Sequence, residues 1–169
     1  PKRAKEYLFL LFGAVTGTVF GVVHDLVTLS ISPEYFTMFK GIASEPGELT
    51  WAVVWMAIQA TYWVGAVGAT ILLVANNPSE RYPQLWYRDL ALIATRPVLG
   101  AVSGGVLAAL GYQAIRPNLH HLMNTPALAG VPSAQFVWAI HCGSYAGSAI
   151  GMIWAAVEVR RARARPHHS

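Results

Sequence analysis

Four long apolar stretches set the pattern of this chain, running from about Tyr7 to Ile31, Leu49 to Ala75, Leu90 to Ile115 and Ala134 to Val157. A helix needs about 20 apolar residues to cross the hydrocarbon of a bilayer, and each stretch is long enough. Lipid offers no hydrogen-bonding partner to the backbone, so each stretch must satisfy its own groups as a helix. The second stretch carries no charge, the first only His24 and Asp25 near its end, and the third is interrupted by Arg96-Pro97. The pattern predicts an all-α polytopic membrane protein with four transmembrane helices. Residues 1–159 form one four-helix domain in this reading, and 160–169 a basic cytoplasmic tail. The first stretch follows a basic start, as a secretory signal would. Its apolar run is too long for that and no A-x-A-like cleavage site follows, so it reads as an uncleaved first span.

The segments between spans carry their own punctuation. Ser32-Pro33-Glu34 reads as a helix start, with a serine cap, proline at the first helical position and an acid in the first turn. It predicts a short helix with Tyr35, Phe36, Met38 and Phe39 in the membrane interface. Asn77-Pro78-Ser79-Glu80 has the form of a capping box on the other side.

Composition agrees with a membrane chain. Only 12% of residues are charged and 54% are hydrophobic, whereas a soluble domain carries about a quarter charged residues. The net charge is +4, but the basic residues sit at the ends and in one loop, which fits membrane topology and no nucleic-acid partner. Nine of them (Lys2, Arg3, Lys5, Arg81, Arg88, Arg160, Arg161, Arg163 and Arg165) flank the spans on one side, against Lys40 and Arg116 on the other. The positive-inside rule then places both termini in the cytoplasm of a bacterial inner membrane. A single cysteine, Cys142, excludes an intrachain disulfide.

Small residues recur at every fourth position. Span one has Gly13, Gly17 and Gly21, span three Gly100 and Gly104, and span four Gly143, Gly147 and Gly151. Such strips let two backbones approach closely. They predict packing within the bundle, or contact with a second copy or with another membrane subunit.

Candidate chemistry gathers at the outer end. Asp25 and Thr28 continue the glycine face of span one, and His24 lies beside it. His141 lies about two turns into span four from the same side, with Ser144, Tyr145 and Ser148 on its face. The connecting segments add Glu34, Tyr35, Glu45, Glu48, Arg116, Asn118, His120 and His121. Ionisable groups inside a span are costly and often mark a function. Imidazoles with carboxylates suit a divalent transition metal. The expected ligands are His24, Asp25, Glu34 and His141, with Thr28, Tyr35, Ser144 and Tyr145 orienting them. Because His24 and Asp25 are adjacent, one is expected to bind and the other to support it. Three other readings stay open. Asp25 could pair with Arg116 or cap the outer helix while His141 bonds a serine or carbonyl, the group could form a proton or ion path, or His24 and His141 could hold haem b. Arg96 either reaches the headgroups or needs an acidic partner or an anionic lipid.

The segment His24-Asp25-Leu26-Val27-Thr28, followed by Ile31-Ser32-Pro33-Glu34-Tyr35-Phe36-Thr37, resembles an H-D-x-x-T…S-P-E-Y-F segment of small, uncharacterised bacterial multi-spanning membrane proteins. The resemblance covers about fourteen residues and implies no activity. It implies that His24, Asp25, Glu34 and Tyr35 belong to one unit. No Walker A loop, G-x-S-x-G elbow, H-E-x-x-H or H-x₄-D motif is present. The functional expectation is therefore a metal or ion site at the outer face, against a non-enzymatic subunit or scaffold of a membrane complex.

Overall fold

The computed structural model describes residues 2–45, 47–79, 82–115 and 130–164. Their regular structure is entirely helical: α1 Lys2–Ile31, a π-helical turn Tyr35–Phe39, α2 Leu49–Ala75, α3 Tyr87–Ile93, α4 Arg96–Ile115 and α5 Pro132–Ala164. Four helical segments are long and apolar enough to span a bilayer, namely Arg3–Ile31, Leu49–Ala75, Tyr87–Ile115 and Pro132–Ala164. The chain is a multi-pass helical membrane protein.

The third span is two helices rather than one kinked helix. The chain turns at Ala94-Thr95, and Pro97 then stands at the second position of α4. A first-turn N–H has no intrahelical acceptor, so proline loses nothing there, whereas in mid-helix it would remove a bond. The Ala94 N–H still reaches the Leu90 carbonyl at 2.9 Å, and the Leu99 N–H reaches that of Thr95 at 3.0 Å. Arg96, at this restart, donates to Glu158 through both Nε (3.0 Å) and Nη2 (3.2 Å). Its guanidinium also lies 4.8 Å from the centre of the Trp154 ring. Of its two expected fates, Arg96 has taken the acidic partner.

The basic tail is also built into the fold, because α5 continues to Ala164. Arg163 donates to the carbonyls of Ala75 (2.7 Å), Tyr82 (2.9 Å) and Pro83 (3.0 Å). A helix leaves its last carbonyls without partners, and a cation there also suits the helix dipole. Arg163 thus ties the end of α2 and the following loop to α5. The buried Asn76 locks the same loop, accepting from the Leu85 N–H at 2.8 Å and donating to the Leu85 carbonyl at 3.2 Å. Glu80 and Arg81, the rest of the expected capping box and its neighbour, lie outside the described residues.

The helices associate as two close pairs, α1 with α2 and α4 with α5. On α1 the large apolar residues Leu8, Leu11, Val15, Val19, Val23 and Val27 point outward, toward lipid, while the glycines point to α2. A β-carbon on Gly17 would stand 2.8 Å from the Thr61 carbonyl oxygen and 2.9 Å from Gly65 Cα. In the second pair, a β-carbon on Gly100 or Gly104 would strike the carbonyl oxygen of Gly147 or Gly143, and one on Gly151 would sit 2.8 Å from Pro97 Cα. Lipid tails are as apolar as leucine, so hydrophobic burial supplies little between spans and this backbone-to-backbone dispersion takes its place. The pairs are joined by an apolar cluster at each end. At the basic end it contains Phe9, Leu72, Leu90, Ile93, Ala155 and Val159. At the far end it contains Tyr35, Phe36, Val53, Ala134 and Val137.

Candidate functional site

Just inside the far-end cluster, α1 and α5 bring their polar faces together. Asp25 and Thr28 follow Gly21 by four and seven residues, so they share its helix face and look inward. From α5 come His141 and Ser144. His141, Thr28, Ser144 and Asp25 are 1%, 1%, 3% and 8% exposed, which is deep for groups that must find partners in apolar surroundings.

They find one another. The Thr28 hydroxyl donates to the His24 carbonyl at 3.0 Å, a local bond that holds its lone pairs toward His141 Nε2, 3.3 Å away. His141 Nε2 also lies 3.9 Å from Asp25 Oδ1. With the Nε2 proton directed at these acceptors, Nδ1 is free to accept from the Tyr145 hydroxyl at 3.3 Å. On the other side of the carboxylate, His24 Nδ1 is 3.2 Å from Asp25 Oδ1 and its Nε2 is 3.2 Å from Ser144 Oγ. The two imidazoles meet edge to face, centroids 4.5 Å apart. Adjacency therefore does not separate His24 from Asp25. The His24 ring folds across toward α5, and the carboxylate reaches back to it.

His24, Asp25 and His141 each offer one ligand atom, and these atoms lie within 4.8 Å of one another. Two imidazoles and a carboxylate are a donor set for zinc, iron or manganese, with Thr28, Ser144 and Tyr145 placed to orient them. Haem b suits the geometry poorly. The two rings are already in contact, and a macrocycle between them would have to drive α1 and α5 apart.

Glu34 is not in the group. Pro33 and Glu34 continue as a helical turn, which swings the carboxylate outward to an exposed position. There it accepts from the Ser32 hydroxyl at 2.8 Å, which also stands 3.1 Å from the Ser133 hydroxyl at the start of α5. A backbone hydrogen bond and the Ser32 bond hold the Glu34 carboxyl below its ordinary pKa. Ser32 was expected to cap a helix by accepting a backbone N–H; instead its side chain tethers Glu34.

Tyr35 does belong to the site. The π-turn buries it, with Phe36, against α5, and its ring stacks on His141. Burial raises the phenol pKa, with the negative ends of Tyr145 and Asp25 adding to the effect. Thr37, Met38 and Phe39 form the exposed side of the same turn. The loop residues Arg116, Asn118, His120 and His121, and His167 and His168, lie outside the described residues.

Sequence reasoning missed five residues, in three places. Thr61, Gly65 and Ala69 form the α2 strip that receives the glycines of α1. Their small side chains at every fourth position were a usable signal. Phe20, one turn before His24, flanks its ring at 5.6 Å. Lys40 holds its ammonium 5.7 Å from the centre of the Tyr35 ring, and no local pattern points to it.

No protein-family model, curated protein or solved structure matches this chain. Fold and site alone define the class: a four-span helical membrane protein with two histidines and an aspartate converging between its first and last spans.

Proposed function

We propose that this is a bacterial inner-membrane protein that holds a divalent transition metal at its outer face, on His24, Asp25 and His141. One observation carries the reading: three donors of metal-binding type, from two different spans, converge where an unpartnered ionisable group would be costly. The nine-to-two distribution of basic residues supports the orientation. Three protein ligands leave coordination positions open, as in sites that engage a further small ligand rather than purely structural ones. Ser144 and Tyr145, which hydrogen-bond the two imidazoles, would orient those ligands.

A second observation favours a different role. Every imidazole nitrogen in the group has a protein partner within 3.3 Å, so the network closes without an ion and could simply fasten α1 to α5 in a scaffold subunit. Elemental analysis of the purified protein decides between the two readings. The metal reading expects about one transition-metal ion per chain, lost in Asp25→Asn and His141→Ala. It also expects cobalt(II) added to metal-stripped protein to give a ligand-field spectrum that these variants lack. A wild-type protein that neither retains metal nor binds cobalt overturns the metal reading and favours the fastening role.

A further inference from the structure

The two helix pairs are clamped at their ends and separated between them. The gap is a cavity of about 380 Å³ whose wall on α1 runs from Gly13 to Asp25. Twelve steps of about 1.5 Å make that about 18 Å, more than half of the roughly 30 Å hydrocarbon thickness. Along most of this length the wall is apolar. Polar groups gather at one end, where His24, Asp25, Ser144 and Tyr145 meet the cavity with Lys40 at its mouth. The rim reaches the lipid-facing surface, since the lining residues Trp63, Val64 and Tyr145 are 53%, 48% and 61% exposed.

We propose that this cavity binds a single-tailed amphiphile with an uncharged, hydrogen-bonding ring as its head, the chemistry of an isoprenoid quinone or quinol. The shape specifies the tail. A slot this long between apolar helix faces forfeits dispersion when empty and offers water almost no partners, so a lipid-soluble chain gains most by filling it. The charges specify the head. Asp25 opposes a carboxylate or phosphate, and Lys40 at the mouth opposes a cation. What remains is a neutral head that exchanges hydrogen bonds with the Tyr145 and Ser144 hydroxyls, each turning its proton from an imidazole nitrogen to the head. The adjoining rings of Phe20 and His24, centroids 5.6 Å apart, both line the cavity, an aromatic surface that suits a flat ring better than a branched headgroup. The inference rests on the cavity and its polar end in the metal-free protein, and so does not depend on the metal reading above.

The test is equilibrium binding of a benzoquinone with a ten-carbon tail to the purified, chelator-treated protein in detergent. Palmitate, whose head is anionic, serves as competitor, and quenching of Trp63 serves as the signal, assigned with Trp63→Phe. Saturation near one quinone per chain is expected, with palmitate at least tenfold weaker. Ser148→Phe, which narrows the wall without touching His24, Asp25 or His141, should weaken quinone binding at least tenfold while leaving metal content unchanged. Unsaturable partitioning of the quinone into wild type, or palmitate binding as tightly as quinone, overturns the proposal whatever the variant does. Binding lost on chelation and restored by metal would also overturn it, by making the metal rather than the cavity the determinant.

Discussion

The Tyr35 ring lies stacked on that of His141, centroids 4.8 Å apart and planes 24° from parallel. One ring comes from the connection after the first span and the other from the interior of the last. A segment between the spanning helices thus roofs a histidine buried within the bundle. Ser32 strengthens the same junction, standing between Glu34 and Ser133 at the start of α5. The connection acts as part of the site's wall, so changes there should be felt on α5.

The glycine contacts carry the two helix pairs. Gly17→Leu and Gly147→Leu each force a side chain against backbone that cannot yield without separating helices. Overpacking of this kind costs about 1–3 kcal/mol or more. Both variants should lower the thermal midpoint in detergent, whereas Val19→Leu on the outward face of α1 should not. Equal midpoints for all three would mean that the strips do not hold the pairs.

The Arg96–Glu158 pair joins α4 to α5 near the basic end, with side chains about a third exposed (30% and 31%). Partial exposure screens it, so its contribution should be about 1 kcal/mol or less. Arg96→Glu should destabilise by placing two acids together. The exchange Arg96→Glu with Glu158→Arg should recover part of the loss. A double variant no better than the single one would assign the effect of Arg96 to Trp154 instead.

Glu34 gives the far end an acid-sensitive contact. Its carboxyl titrates below the ordinary value in the folded protein, so the stability it contributes is present above the unfolded pKa of roughly 4.3 and is lost as pH falls through the lower folded value. Ser32→Ala should move the Glu34 pKa upward, toward the ordinary value, when followed by carbon NMR of labelled glutamate. No movement would leave the backbone hydrogen bond as the whole cause.

Topology can be read directly. Reporter fusions after residue 45 and after residue 164 should fall on opposite sides of the membrane, with the latter in the cytoplasm. Both reporters on one side would break the orientation, and with it the placement of the site at the outer face.

The number and positions of the spans were legible in the sequence because they depend on local quantities. Twenty apolar residues that must satisfy their own hydrogen bonds form a helix wherever they pack, and the glycines at 13, 17 and 21 share a face by helical period alone. Thr28 and His141 were legible as inward-facing for the same reason. What tertiary structure decided was every relation between elements. It set the α1 glycines against Thr61 and Gly65, reserved those of α5 for α4, turned Glu34 out of the site and laid Tyr35 over His141. It also opened a cavity between two pairs that each pack tightly. A helix's own pattern states which face seeks a partner, but the partner is chosen by the relative rotation and separation of whole helices. Those depend on contacts between residues as far apart in the chain as His24 and Ser144.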